Sequence, residues 1–292
     1  MTFLQLASAA QAAEVDAGGG VDVFAETELP DGATWVGLRQ VEGDVQVTAA
    51  PVTVRVDLDA RIGVNEAGAW LAALAPEEAS VTVSSGRVWL AAGIAPAPWR
   101  FEAVDGWDNE MATWSSGHAF LAPGSVLGAR LGIGEPEAGL SLLAGLERGA
   151  AGWDLLHPVP LTGTPLLAGI HGAGGGDVVT FGGGLYAWPG PFTTGGLEAQ
   201  ARLRTGVVAL TGEVLLGWRR ASAATLQLDL HPAGIVVPAL RGEWYAGQPG
   251  GALCVAVHPW EVVVFKVEGG YTRGAPRVAA EIAIFDAFPP QW

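Results

Sequence analysis

Charged side chains alternate with apolar ones over residues 52–64 of the sequence. One parity is apolar throughout, and the other carries Arg55, Asp57, Asp59 and Arg61. Successive side chains of a β-strand point to opposite faces, so these four charges are expected on one face of one strand. Facing a pore, they would form part of a selectivity ring for ions. Paired as salt bridges, they would instead fill and stiffen a narrow lumen, and both roles remain open.

A second stretch, Leu197–Arg204, repeats this chemistry. Its apolar parity is occupied by leucine and alanine, and its polar parity carries Glu198, Arg202 and Arg204. We therefore predict these three residues as further lumen candidates beside the four charges of residues 52–64.

Catalytic and metal-binding patterns are weak. The five histidines are scattered without paired spacing, and Cys254 is the only cysteine, so we expect no metal centre. Ser115 and His118 lie near Asp105, but the Gly-x-Ser-x-Gly turn of a nucleophilic serine is missing. The glycine-rich run at residues 169–177 lacks the Lys-Ser/Thr pair of a phosphate-binding loop. We predict no enzyme and no cofactor.

The composition restricts the elements that position these charges. The chain has 292 residues, of which 50% are hydrophobic and 15% charged, and its mean hydropathy is +0.33. Two stretches lack charge, Leu155–Gly176 and Val178–Leu197, but prolines and glycines interrupt both. Neither fits a transmembrane helix, and the other structure that satisfies its own backbone hydrogen bonds in lipid is a closed barrel.

The net charge of −15 argues against nucleic acid as a partner, because phosphate binding needs a positive surface. In a barrel, the excess carboxylates would gather in the lumen and connections, where they would favour cations. The same excess is also typical of acidic loops that keep a protein soluble. The partners expected of a barrel are membrane lipid and small solutes or ions, together with other envelope proteins.

Alternation with a period of two recurs along the whole chain and predicts an all-β, closed antiparallel transmembrane barrel. About sixteen segments alternate, some of them too short to cross a bilayer, so we expect about 14 strands, within a range of 12–16. Turn residues separate most segments, at 30–32, 42–44, 134–137, 195–196 and 248–250. The only weak helical stripe is Glu66–Leu74.

Tryptophans at predicted strand ends, including Trp188, Trp218, Trp244 and Trp260, are typical of the aromatic girdles of membrane barrels. The stretch from Ile282 to Phe288 is typical of a terminal barrel strand. Residues 1–12 have the small-x-small ending of a secretory signal peptide. We therefore expect residues 13–292 to form one barrel domain in a bacterial outer membrane.

The segment from Arg87 to about Gly134 resembles porins of the OmpL-like beta-barrel family. In that family, a strand leads into a Pro-Phe-Gly-x-Glu corner and a loop with an Asp/Asn pair. Here Pro98 and Glu102 hold the corner positions, with Trp99-Arg100 in place of Phe-Gly. The resemblance implies a barrel porin with no catalytic residues, and it adds the loop candidates Pro98, Glu102, Asp105, Asp108 and Asn109.

Three functions remain open from the sequence. The first is a porin-like channel for small solutes with weak cation selectivity. The second is a non-conducting barrel that acts as a scaffold in an envelope complex, such as a gliding-motility machine. The third is a soluble, secreted all-β binding protein, which would stay monomeric without detergent.

Overall fold

A computed structural model describes residues 13–29, 34–65, 67–96, 111–113, 125–135, 139–147, 166–176, 178–189, 193–231, 233–272 and 274–285. The strands are β1 (Glu14–Glu28), β2 (Thr34–Ala49), β3 (Val52–Asn65), β4 (Trp70–Ser85), β5 (Val88–Pro96), β6 (Ser125–Gly134), β7 (Gly139–Glu147), β8 (Leu166–Gly175), β9 (Val179–Trp188), β10 (Thr194–Arg204), β11 (Val208–Trp218), β12 (Ala223–Leu230), β13 (Val236–Tyr245), β14 (Gln248–Trp260), β15 (Val263–Thr272) and β16 (Ala275–Phe285). No helix within these ranges is both long and apolar enough to cross a membrane.

The 16 strands form one closed barrel in which each strand pairs with its neighbours in the chain, and β1 pairs antiparallel with β16. The all-β closed antiparallel fold predicted from the sequence is confirmed, but the expected number of about 14 strands is wrong. Closure satisfies the backbone of both terminal strands, so the barrel has no open sheet edge.

The observed strands differ from the expected segments in two places. The run at residues 42–44 lies within β2 and pairs in register with β3, so one long strand replaces two short segments. Over Glu66–Leu74 the weak helical stripe is contradicted, because β4 begins at Trp70 and continues to Ser85. Merging the first pair removes one segment and β4 adds one, so the number of alternating segments, about sixteen, agrees with the 16 strands. The expectation of about 14 was too low because segments judged too short to cross a bilayer were discounted.

The predicted turns have mixed outcomes. Glu135 lies between β6 and β7 as expected, but Gly134 is the last residue of β6, and Gly195 and Gly196 lie inside β10. The turn expected at residues 248–250 is displaced to Ala246 and Gly247, whose φ angles are 51° and 88°. Two successive positive φ angles define the type I′ turn that suits a two-residue hairpin.

Side-chain polarity is divided between the two faces of the barrel wall. Along β3, Val54, Val56 and Leu58 are exposed, whereas Asp57 and Asp59 are buried on the other face. The exposed large side chains of the other strands are likewise mostly valine, leucine and isoleucine. The outer face is therefore apolar, and the buried charges face the lumen.

The two ends of the barrel differ in their connections. The two longest connections, residues 97–124 and 148–165, lie at the same end, which we call the long-connection end. At the other end, the short-connection end, β1 begins, β16 ends, and no connection exceeds five residues. Exposed Trp70, Trp218 and Trp244 lie at the long-connection end, and exposed Trp260 lies at the short-connection end.

Candidate functional site

A network of charged side chains lies on the lumen wall where the first and last strands of the barrel pair. Asp22 of β1, Arg39 of β2, Lys266 of β15 and Glu281 of β16 form this seam network. Arg39 Nε donates to Asp22 Oδ2 at 2.5 Å, and Arg39 Nη2 donates to Glu281 Oε2 at 2.7 Å. Lys266 Nζ donates to Glu281 Oε1 at 2.8 Å. Two cations thus neutralise two carboxylates in a buried site, as such charges require.

A β-bulge aims Arg39 into this network. Gln40 pairs with Asp22 and Leu38 pairs with Val23, so Arg39 is the extra residue on β2. The side chains of Arg39 and Gln40, although adjacent in sequence, are both buried on the lumen side. Bulges commonly redirect a side chain in this way, and alternation alone would have turned one of the two outward.

The connection between β5 and β6 enters the lumen at Met111–Thr113, which we call the inserted segment. All three of its residues are buried. Arg39 Nη1 donates to the carbonyl of Ala112 at 2.7 Å. Thr113 donates its backbone N–H to Glu268 Oε2 at 3.0 Å, and Arg241 Nη2 donates to Thr113 Oγ1 at 2.8 Å. The seam network and its neighbours on β13 and β15 therefore hold this segment against the wall.

Apolar packing supports the inserted segment from one side. Met111 and Ala112 pack in one cluster with Phe24, Trp35 and Cys254. The Arg39 guanidinium lies 4.3 Å from the centre of the Phe24 ring, and this cation–π contact helps to hold the guanidinium in position. Cys254 is thus part of the packed wall beneath the segment.

The predicted lumen residues lie on two nearly opposite walls. Strands β3 and β10 are seven positions apart around the barrel. On β3, Arg61 binds its own-strand neighbour Asp59, with Nη2 2.6 Å from Oδ2, and Arg55 lies 3.5 Å from Glu78 of β4. These charges therefore pair locally and do not reach the predicted residues of β10.

The β10 residues differ among themselves in burial. Glu198 is buried with a relative exposure of 2%, Arg202 is half-buried, and Arg204 is exposed at the strand end. Arg202 Nε donates to Thr211 Oγ1 of β11 at 3.2 Å. The loop candidates Pro98, Glu102, Asp105, Asp108 and Asn109 lie outside the described residues.

Carboxylates outnumber cations among the buried charged side chains. Within the described ranges, twelve buried carboxylates face four buried Lys or Arg side chains. The carboxylates are Asp22, Glu26, Glu42, Asp57, Asp59, Glu147, Glu198, Glu213, Asp229, Glu243, Glu268 and Glu281. The cations are Arg39, Arg241, Lys266 and Arg277. This excess gives the lumen a negative potential.

Sequence reasoning missed the seam network and the inserted segment. Lys266 and Glu281 lie at the inward parity of alternating stretches, where Glu268 and Arg277 are the other charges. Arg39 gave no such signal, because its inward orientation depends on the bulge. No group of three or more histidine, cysteine, aspartate or glutamate side chains suited to a metal ion is found in the described part of the chain.

Comparison with solved structures places the fold among bacterial porins. One mutant of the Rh. blastica porin has a TM-score of 0.60 and 11% identity, and the match covers 93% of this chain and all of that chain. A triple mutant of the Rhodopseudomonas blastica porin has a TM-score of 0.59 and 10% identity over 93% and 100%. OprB of Pseudomonas putida, in a low-pH structure, has a TM-score of 0.59 and 9% identity over 94% and 92%.

No protein-family model and no curated protein sequence matches the chain. The resemblance of residues 87–134 to the OmpL-like family is accordingly not confirmed. The structural neighbours establish a porin-like closed barrel, and at 9–11% identity they establish the fold alone.

Proposed function

We propose that the protein is an outer-membrane channel of the porin type, which passes small solutes and ions and weakly favours cations. The observation that carries the proposal is the inverted polarity of the barrel, with an apolar outer face and a charged lumen. Such a surface suits hydrocarbon, and a water-filled lumen suits the buried charges. Barrels of 16–18 strands are wide enough for an aqueous channel.

The outer surface supports a membrane location. Exposed tryptophans lie near both ends of the barrel, where the aromatic girdles of outer-membrane barrels meet the lipid headgroups. The short-connection end fits the periplasmic side and the long-connection end the cell exterior, because these barrels have short periplasmic turns and longer outer loops. A soluble protein would have to cover this apolar face, so we favour the channel over a secreted binding protein.

The lumen charges support a preference for cations. Twelve buried carboxylates against four buried cations raise the local concentration of cations relative to anions. Asp57, Asp59, Glu198, Arg202 and Arg204 are the residues through which we expect the lumen to tune passage, together with Arg55 and Arg61. The loop candidates, among them Glu102 and Asp105, are kept in this proposal as further residues that would tune passage.

Planar-bilayer recording tests this function. The native protein is expected to give discrete conductance steps. In a KCl gradient, its reversal potential should have the sign that shows K⁺ to be more permeant than Cl⁻. Asp57→Asn and Asp59→Asn should each move the reversal potential towards zero. The larger shift is expected from Asp59→Asn, because this substitution also leaves the Arg61 guanidinium in the lumen without the carboxylate that pairs with it.

The matched control is Glu261→Gln, which removes a carboxylate from the exposed β14–β15 turn and should leave the reversal potential unchanged. A folded protein that inserts but gives no conductance would contradict the channel. That result would favour the non-conducting scaffold, whose lumen is filled by the inserted segment and its salt bridges. Envelope proteins that co-purify with the silent barrel would then identify its partners.

A further inference from the structure

A cavity of about 410 Å³ opens in the lumen wall formed by strands β2–β7. It lies to one side of the seam network and towards the short-connection end. Its polar lining includes Arg55, Glu78, Ser80 and Arg130, with Thr53 and Thr82 nearer the mouth. Its volume falls within the range of about 300–1,000 Å³ that is typical of small-molecule sites.

Sheet register explains why the wall is hollow at this place. Ser80 of β4 pairs with Gly93 of β5, Gly93 pairs with Gly128 of β6, and Gly128 pairs with Gly145 of β7. Three successive inward positions therefore carry no side chain. At Gly93 the φ angle is +132°, a conformation that only glycine adopts readily, so the recess is fixed by the backbone.

Charges of both signs border the recess. Arg55 Nη1 lies 3.5 Å from Glu78 Oε2, and the Arg55 side chain has a relative exposure of 44%. Ser80 Oγ donates to Glu78 Oε1 at 2.6 Å, which orients the carboxylate. Across the glycines, Arg130 donates from Nε to Ser141 Oγ at 2.9 Å, and its guanidinium lies 4.9 Å from the centre of the Trp89 ring. The two guanidinium groups are therefore held on opposite sides of the recess.

This arrangement selects the charge type of the occupant. A simple anion would meet Glu78 and Glu135, and a simple cation would meet Arg55 and Arg130. An uncharged solute would form no charge-assisted hydrogen bond beyond the contact that Arg55 already makes with Glu78, although the exposed guanidinium has further N–H donors. A small solute with both an ammonium and a carboxylate group satisfies both signs, because charge-assisted hydrogen bonds form to each end.

We propose that this cavity is a binding subsite for small zwitterionic solutes of the α-amino acid type. The carboxylate of the solute accepts from the Arg55 guanidinium, and its ammonium donates to the Glu78 carboxylate. The hydroxyl groups of Thr53 and Thr82 form hydrogen bonds with the polar atoms of the solute that do not contact Arg55 or Glu78. The subsite deepens the proposed channel function and rests on it, because the solute would reach the cavity through the lumen.

Equilibrium binding to the purified barrel in detergent micelles tests the subsite, with glycine as the probe. Acetate, methylammonium and glycerol serve as the matched anion, cation and neutral probes. Glycine is expected to bind at least about tenfold more tightly than each of them, as expected for two charge-assisted contacts. Equal binding of acetate, methylammonium or glycerol would overturn the proposal.

Three variants test the residues. Arg55→Gln and Glu78→Gln should each weaken glycine binding about tenfold or more, the loss expected for one charged hydrogen bond. Ala91→Leu should weaken it by filling the cavity without changing any charge. Arg87→Gln, at the exposed β4–β5 turn, removes a guanidinium outside the cavity and should leave binding unchanged. Unchanged binding in Arg55→Gln would refute the assignment.

Two readouts keep this inference separate from the channel itself. A heat-induced mobility shift on a detergent gel checks that each variant is folded. Conductance in a planar bilayer is measured on the same preparation. A conducting barrel that does not bind glycine would overturn the subsite alone, whereas a silent barrel that binds glycine would overturn the channel alone.

Discussion

Arg39→Met removes the central cation of the seam network while keeping most of the side-chain volume. In the native protein, Arg39 contacts Asp22 at 2.5 Å, Glu281 at 2.7 Å and the Ala112 carbonyl at 2.7 Å. The side chains of Arg39, Asp22 and Glu281 are at most 3% exposed. The variant would leave Lys266 as the only cation of the network against two buried carboxylates.

The expected loss follows from that imbalance. Breaking a buried ion pair by removing one partner costs about 3–5 kcal/mol, because the remaining charge stays buried without compensation. Removing the orphaned charge as well, in Arg39→Met with Asp22→Asn, should recover part of the loss. The coupling between the two substitutions then reports the interaction itself.

Urea unfolding in phospholipid vesicles measures these free energies, with tryptophan fluorescence as the signal. The control is Arg204→Met, in which an exposed cation at the end of β10 is removed at an expected cost of at most about 1 kcal/mol. An Arg39→Met variant that unfolds within about 1 kcal/mol of the native protein would refute the reasoning. Water in the lumen would then be solvating the network.

Two further predictions concern the barrel wall. A Cβ atom on Gly132 would overlap the indole ring of Trp89, which packs over this glycine. Gly132→Val should therefore reduce the fraction of the protein that runs as a folded, heat-modifiable barrel on a detergent gel. The control is Gly242→Ala, which should fold normally because a Cβ there meets no atom within 4 Å. Leu131 lies on the outer face with 48% exposure, so Leu131→Arg should lower the free energy of unfolding in vesicles by about 2–4 kcal/mol. An equal loss in Leu131→Ala would show that lost packing causes the effect.

Strand β3 illustrates how much of the fold the sequence predicts. Its alternation was sufficient to place Val52–Val64 in one strand, and the structure ends that strand one residue later, at Asn65. β4 was missed because Pro76 interrupts its pattern, and a register shift lies between Pro76 and Glu78. A bulge changes the parity of a strand, so a strict period of two fails there.

The candidate site was less predictable than the fold. Asp57 and Asp59 could be assigned to one face because both belong to one strand, where parity alone decides. Arg39 and Glu281 meet only when the sheet closes, and they are 242 residues apart in the chain. Local periodicity contains no information on such a pairing. The inserted segment was equally hidden, since its position depends on partners from β2, β13 and β15.

The location of the seam network has a consequence for assembly. Its four charged groups belong to the first two and the last two strands, so none of the pairs between the chain ends exists until the final strand has been added. An unclosed barrel would present Asp22 and Arg39 to hydrocarbon without Glu281, at a cost of several kcal/mol. In the outer-membrane location that we propose, electrostatics would therefore penalise insertion of an incomplete chain. The same charges that line the finished lumen would then make completion of the sheet a condition for entering the bilayer.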